Sequence, residues 1–265
     1  MTAPEINRRI LGHLERSNVT AALFVCGMRV DSAGGRHMLG EWNEAGHTLG
    51  NHSWSHWNLD SNKVMLSAFC EDIARGEAAV RGFTRFRRIF RYPFFKEGDT
   101  LEKRDGVRRF LAERGYRVGS ATVDASDWAV SARLTARLAK EPHADPAPYR
   151  EFYLAHMWER ARFYDDLAVR VLGRRPAHTV LVHHNLLNAL FLGDLLAMFR
   201  ARGWEPISAG DAYRDPVYLR QPQTLPAGES LIWALAKETG RFDEALRYPG
   251  EDEVYENPKM DALGL

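Results

Sequence analysis

Residues 46–56 have the sequence Gly-His-Thr-Leu-Gly-Asn-His-Ser-Trp-Ser-His, in which a short predicted strand is followed directly by two histidines. Residues 47–50 follow a glycine that ends a predicted helix, and they are predicted to form a short strand. His52 and His56 come directly after it, four residues apart. On a helical turn, two imidazoles at this spacing project from one face and can share a metal ion. Two hydrogen-bonded loop histidines would give the same pattern, so both interpretations stay open.

Predicted helices and strands alternate on either side of this stretch. The chain begins with a capping-box pattern at residues 2–5, so it opens on a helix rather than a strand. Apolar periodicity predicts further helices at 36–45, 63–81, 103–114, 130–139, 149–172, 187–202 and 229–238. Short apolar runs predict strands at 20–25, 88–92, 116–123, 179–182 and 204–207. This alternation is typical of parallel βαβ units in an α/β fold.

Chemically capable side chains follow several of the predicted strands. Arg91 and Phe94 come after one strand, Asp127 and Trp128 after another, and His183 after a third. In parallel α/β folds, reactive groups gather at the carboxyl ends of the strands. This placement therefore predicts a functional site built from these segments.

His183 is a candidate general acid or base because the pKa of imidazole lies near neutrality. Asp127 is a candidate partner that would orient the imidazole and raise its pKa. Each has a plainer alternative, since His183 fits a hydrogen-bonded strand-end histidine and Asp127 fits a helix cap. Arg91 fits either a carboxylate tether or a surface ion pair.

Composition excludes several classes of protein. Lys plus Arg number 36 against 35 Asp plus Glu, a net charge of +1, which gives no general attraction for nucleic acid or anionic membranes. No apolar run approaches the roughly 18 residues of a membrane span, and no signal-peptide pattern is present. Two cysteines exclude a disulfide framework and a cysteine-based zinc cluster.

In order and position, these segments resemble the NodB-homology polysaccharide deacetylases, carbohydrate esterase family four. That family has five ordered motifs. The second, His-Ser/Thr-x-x-His, matches residues 52–56, and the third, Arg-x-Pro-aromatic, matches 91–94. The fourth, Asp-x-x-Asp-Trp, matches 124–128, and the fifth, Leu-x-His, matches 181–183. Phe95 and His184 depart from the residues that usually follow the third and fifth motifs.

The resemblance implies a distorted (β/α)-barrel over residues 1–212, followed by a C-terminal extension at 213–265. It implies hydrolysis of an N-acetyl amide on a carbohydrate with a divalent metal, zinc in the first place and cobalt or nickel as alternatives. The family usually works in the periplasm or outside the cell, but this sequence leaves the location unknown. The resemblance implies that His52 and His56 bind the metal, that His183 protonates the leaving amine, and that Asp127 tunes this histidine. Trp128 would form a wall of the site, and Leu181 would line the acetyl pocket. The backbone amide of Phe94 would stabilise the oxyanion, and Arg91 would hold the catalytic base in place.

The family's first motif is a strand ending in Asp-Asp, which supplies the general base and a third metal ligand. The chain begins at the first helix, so the resemblance predicts a barrel without its first strand and without these two carboxylates. We expect weak metal binding and little deacetylase activity, and the resulting sheet edge is a candidate dimerisation surface. The other Asp pair, Asp165 and Asp166, is interpreted as a solvated helix face.

Three explanations of this start remain open: a gene start placed too late, a truncated fragment, and a true pseudoenzyme. Two other functions also remain open. One is a carbohydrate-binding pseudoenzyme without turnover, and the other is a metal-dependent amidohydrolase acting on small acylated amines.

Overall fold

The computed structural model describes residues 1–246 and 253–265. Its helices are α1 (Ala3–Arg16), α2 (Ala33–Glu44), α3 (Leu66–Val80), α4 (Leu101–Glu113), α5 (Asp127–Lys140), α6 (Ala147–Leu172), α7 (Leu186–Ala201), α8 (Ala209–Ala212), α9 (Leu231–Thr239) and α10 (Asn257–Ala262). Its strands are β1 (Ala22–Val25), β2 (Thr48–Asn51), β3 (Phe86–Phe90), β4 (Lys96–Gly98), β5 (Arg117–Val118) and β6 (Ala227–Gly228).

The chain divides into two compact units. We call residues 20–122 and 208–246 the sheet unit, because they contain every strand named above. We call residues 1–19, 123–207 and the C-terminal segment the helical unit. Residues 213–246 therefore fold with the sheet unit, while the predicted domain boundary at residue 212 stays a prediction.

The sheet unit is built on a parallel sheet with strand order β1-β2-β3-β5. The register requires a glycine in β2, because a Cβ on Gly50 would lie 2.8 Å from the Phe24 ring. The sheet packs against α3, α4 and the loops beside them through a core of buried side chains. Its members are Leu59, Phe69, Ile73, Phe90, Tyr92, Val107, Leu111 and Tyr116.

A second, two-stranded sheet joins the C-terminal part of the sheet unit to the segment after β3. β4 and β6 pair antiparallel, with Lys96 opposite Gly228. Helix α9 follows β6 and buries Leu231, Ile232 and Leu235. The polar stretch after residue 211 thus contributes core as well as surface.

The helical unit is held together by α1, α5, α6 and α7. Helix α1 begins with the predicted capping box, in which the backbone N–H of Thr2 donates to Glu5 Oε2 at 2.6 Å. It packs along α7, and α6 packs against both α5 and α7. Asn185 is the N-cap of helix α7, and its side chain accepts from the backbone N–H of Asn188.

Several predictions about strands were wrong. Residues 179–182 form only an isolated parallel bridge between Val180 and Val123, and 204–207 form no strand. The predicted strand at 116–123 shortens to the two residues of β5. Short apolar runs satisfy burial by packing alone, as Trp204 does when it stacks on Phe199 with ring centroids 5.6 Å apart.

The interpretation of the Asp165–Asp166 pair as a solvated face holds for only one member. Asp166 is exposed and lies 3.7 Å from Arg162. Asp165 is buried and accepts a 2.8 Å hydrogen bond from Arg175 Nε. Periodicity placed both residues on one helix but did not show which one faces the interior.

Candidate active site

The loop after β2 holds His52 and His56, and it is not a helical turn as their spacing predicted. Ser53 and His56 both have positive φ, at 62° and 58°. The two imidazoles nevertheless meet, with ring centroids 4.8 Å apart. An irregular loop therefore brings the pair together, and it does so at the carboxyl end of β2, as the fold rule predicts.

His52 is oriented by a hydrogen bond between its Nδ1 and the backbone carbonyl of Arg91, at 2.7 Å. A carbonyl only accepts, so this bond places the proton on Nδ1 and the lone pair on Nε2. Metal-binding histidines typically have their second nitrogen anchored in this way. His56 packs edge-on against Phe94, with ring centroids 4.6 Å apart.

Asp72 organises the same loop, although sequence analysis did not single it out. Its Oδ2 accepts from the backbone N–H of Trp54 at 3.1 Å and of Ser55 at 2.9 Å. The side chain is buried and lies in the middle of α3. No motif marks this contact, because the carboxylate and the amides it accepts from lie more than fifteen residues apart in the chain.

The donor set of this loop fits a divalent metal only in part. The two imidazoles suit two ligand positions of zinc. Within residues 1–246 and 253–265, no group of three or more His, Cys, Asp or Glu side chains could hold a metal ion. Among the described residues, the two histidines would therefore supply only part of the ligand set of a divalent metal.

The loop after β3 carries Phe94 in a strained conformation. Phe94 and Phe95 both have positive φ, at 55° and 54°, which is costly for residues with a Cβ. The segment at β6 holds this loop from outside. Glu229 donates its backbone N–H to the Phe95 carbonyl at 2.9 Å, and its carboxylate pairs with Lys96.

Arg91 is buried, so it is not a surface ion-pair residue. Its Nε donates to the Gly119 carbonyl at 2.7 Å, and its Nη2 donates to the Tyr213 hydroxyl at 3.1 Å. The guanidinium lies 4.2 Å from the centre of the Phe24 ring. Its predicted role of holding a catalytic base stays a prediction.

In the helical unit, Asp127 and His183 form a close pair. His183 Nδ1 lies 2.6 Å from Asp127 Oδ1, and the backbone N–H of His183 donates to Oδ2 at 3.0 Å. Asp127 is fully buried, whereas the His183 side chain is 42% exposed. The geometry supplies a half-exposed imidazole whose Nδ1 is anchored by a buried carboxylate.

The environment of Asp127 keeps it ionised. Burial alone raises the pKa of this carboxyl, but the charge of His183 and the hydrogen bonds from His183 and Asn185 lower the pKa below its ordinary value. Asp127 is also the first residue of α5, where the helix dipole favours a negative charge.

The remaining predicted site residues lie beside this pair in the chain. Trp128 follows Asp127 in α5, and its indole N–H is buried without a hydrogen-bond partner among the described residues. Leu181 is half-buried and donates its backbone N–H to the Val123 carbonyl at 3.1 Å. Their roles as site wall and acetyl pocket stay predictions.

Two asparagines to which the sequence assigned no role donate hydrogen bonds to the Asp127 carboxylate. Asn185 Nδ2 and Asn188 Nδ2 donate to Asp127 Oδ2 at 3.0 Å and 2.8 Å. Asn185 could have been found, because an asparagine before an apolar helix is an N-cap signal. Asn188 and its own partner Tyr153 carry no such signal.

Comparison with known proteins gives a family-model match and several matches to solved structures. The family model described as polysaccharide deacetylase matches residues 2–119. A family-four carbohydrate esterase pseudoenzyme from Bacillus anthracis has a TM-score of 0.56 at 16% identity, covering 80% of this chain and 61% of its own. The peptidoglycan deacetylase PdaC from Bacillus subtilis has a TM-score of 0.52 at 19% identity, covering 80% and 84%. A family-four carbohydrate esterase from Streptomyces lividans in complex with acetate has a TM-score of 0.51 at 16% identity, covering 78% and 88%.

Residues 2–119 thus match the polysaccharide deacetylase family model, and the chain has the NodB-homology fold, a distorted (β/α)-barrel type. The chain spans less than two thirds of the length of the pseudoenzyme chains it matches. No curated protein matches its sequence. Within the described residues, no helix is both long and apolar enough to cross a membrane.

Proposed function

We propose that this chain carries the chemistry of N-acetyl hydrolysis on a carbohydrate, with His183 as the general acid. The observation that supports this most strongly is the Asp127–His183 pair, with its 2.6 Å contact and its half-exposed imidazole. The anchored Nδ1 faces the carboxylate, so the proton available to a leaving amine is the one on Nε2. The buried carboxylate stabilises the imidazolium before that proton is given up.

His52 and His56 are the residues that would hold the divalent metal. Their close rings and the anchored Nδ1 of His52 support this assignment. When bound, such a metal polarises a carbonyl and makes water a better nucleophile. With two imidazoles and no third ligand among the described residues, we expect zinc to bind weakly.

Two features support a carbohydrate rather than a small acylated amine. Trp57 and Phe94, both in the sheet unit, are 42% and 41% exposed, and exposed aromatic faces can stack on sugar rings. The family match also describes polysaccharide deacetylases. A small acylated amine remains the alternative substrate class.

Acetate release from an N-acetylglucosamine oligomer, with zinc present, tests this function. We expect a slow rate that falls to the protein-free level in His183→Gln and in His52→Ala. A rate that neither substitution changes would refute the assigned site, and turnover as fast as that of a complete relative would refute the expectation of weak activity.

The similarity to a pseudoenzyme favours one further candidate function, sugar binding without turnover. Binding of the same oligomer by calorimetry separates the two. Saturable binding with no acetate release, in the presence of zinc, would favour the pseudoenzyme. Acetate release that depends on His183 would favour the enzyme.

A further inference from the structure

We propose that Tyr153 and Asn188 are positioning residues that orient the Asp127 carboxylate and thereby fix the tautomer of His183. The proposal rests on the proposed function for the role of His183. It adds a chain of hydrogen bonds that begins in α6, outside all the motifs that identify the family.

The chain of contacts is continuous and buried. The Tyr153 hydroxyl donates to Asn188 Oδ1 at 2.6 Å, and Asn188 Nδ2 donates to Asp127 Oδ2 at 2.8 Å. Tyr153, Asn188 and Asp127 all have no solvent exposure. In such surroundings hydrogen bonds are strong, and a missing partner is costly.

The surroundings dictate which way the Asn188 amide faces. Besides Asp127, the Asn188 Nδ2 donates to the His183 carbonyl at 2.9 Å. A carboxylate and a carbonyl only accept, so they require the NH2 end of the amide. The Asn188 oxygen is then directed to Tyr153, whose hydroxyl donates to it.

Tyr153 is suited to this role because its hydroxyl stays protonated. Burial, and then the charge of Asp127, raise the pKa of Tyr153 well above its ordinary value. The protonated hydroxyl donates to the Asn188 oxygen, and this contact holds the amide with its NH2 toward the carboxylate.

The consequence for His183 follows from how the two carboxylate oxygens are used. Asp127 Oδ2 accepts from the His183 backbone N–H, from Asn185 and from Asn188. Oδ1 is the oxygen that faces the imidazole Nδ1. Fixing Oδ2 in this way prevents rotation of the carboxylate, so the neutral imidazole keeps its proton on Nδ1 and its lone pair on Nε2.

The test is the tautomer of His183 in the metal-free protein, measured from histidine 15N chemical shifts above the imidazole titration. His183→Gln identifies the signals. We expect the wild type to be mainly Nδ1-protonated, because a carboxylate accepts from that nitrogen. The Nδ1-protonated fraction should fall in Asn188→Leu, and it should fall by less in the conservative Tyr153→Phe.

Tyr149→Phe is the matched control, because Tyr149 is a buried tyrosine on the same helix without a side-chain hydrogen bond to this network. It should leave the tautomer unchanged. A wild-type tautomer that survives in both Asn188→Leu and Tyr153→Phe, with thermal stability lowered or not, would overturn the proposal. If Asn188→Leu does not fold, Tyr153→Phe decides.

The measurement needs neither substrate nor metal, so its failure is distinct from failure of the proposed function. A network that sets the tautomer in a protein without acetate release would leave the inference intact and refute the enzyme. Where acetate release is measurable, Tyr153→Phe should lower kcat several-fold and leave KM unchanged, because the network acts on proton transfer and not on sugar binding.

Discussion

At the scale of single residues, Asp127 combines full burial with a pKa held below its ordinary value. A carboxylate whose pKa is lower in the folded than in the unfolded protein stabilises the fold above the unfolded value and loses this contribution as the pH falls through the folded value. The stabilisation therefore begins to decline as the pH falls below about 4.

Asp127→Asn should remove that part of the acid sensitivity. We expect the free energy of unfolding of the wild type to decline more steeply than that of Asp127→Asn as the pH falls below about 4. Urea unfolding at several pH values measures this. Asp166→Asn, which removes an exposed carboxylate, is the control, and a variant whose acid slope equals that of the wild type would contradict the prediction.

Asp72 offers a second prediction at this scale. Asp72→Ala removes the carboxylate acceptor of the Ser55 N–H and one of two acceptors of the Trp54 N–H, which also donates to the Asp72 backbone carbonyl at 3.1 Å. We therefore expect a loss of about 1–3 kcal/mol in the free energy of unfolding. Zinc affinity should fall as well, because the loop carries His52 and His56. Glu71→Ala, at an exposed neighbouring position, should change neither quantity. Equal effects of the two substitutions would argue against the role of Asp72.

Residue-level prediction succeeded for side chains that follow predicted strands and failed for side chains that lie within helices. His183 and Asp127 were paired from their types and positions, and they do form a close contact. Tyr153 and Asn188 lie 35 positions apart, and no local pattern joins a tyrosine to an asparagine at that distance. Such contacts depend on how helices pack, which a single sequence does not show.

At the scale of elements, the β4–β6 sheet supports the loop that carries Phe94. A Cβ on Gly228, which has φ 122°, would lie 1.8 Å from the Phe95 carbonyl oxygen. The backbone of β6 therefore approaches the loop more closely than any side chain would permit. This approach lets the Glu229 N–H reach the same carbonyl.

Gly228→Ala should separate β6 from the Phe94 loop and cost about 2–4 kcal/mol in the free energy of unfolding. Gly240→Ala is the matched control, because Gly240 also has positive φ, at 64°, but has open space around it. It should cost about 1 kcal/mol, from backbone conformation alone. Chemical denaturation measures both, and equal losses would contradict the steric argument.

Helices were easier to predict than strands for a physical reason. Caps and apolar periodicity are local, and α1 and α7 begin within a residue or two of the predicted positions. Strands depend on partners elsewhere in the chain. Residues 179–182 are apolar enough for a strand, yet they pair only at Val180.

At the scale of the whole molecule, the predicted domain boundary at residue 212 can be tested by removing residues 213–265. Buried residues of the sheet unit lie beyond it, among them Tyr213, Val217 and Ile232. We expect a protein of residues 1–212 to lose cooperative thermal unfolding, because Arg91 also loses Tyr213 as a partner. Cooperative unfolding near the wild-type temperature would instead support a separable extension.

The α/β class and the resemblance to the family could be predicted because four motifs stand in order after predicted strands. The division into a sheet unit and a helical unit could not, since each unit draws on segments far apart in the chain. The candidate dimerisation edge stays a prediction. In the structure, β1 lies at one edge of the four-stranded sheet.

The most direct test of a metal site in the loop after β2 is a calorimetric zinc titration. We expect that the wild type binds zinc weakly, that His52→Ala and His56→Ala abolish this binding, and that His37→Ala, at an exposed histidine, retains it. Zinc affinity that is the same in His52→Ala as in the wild type would contradict the assignment of this metal site.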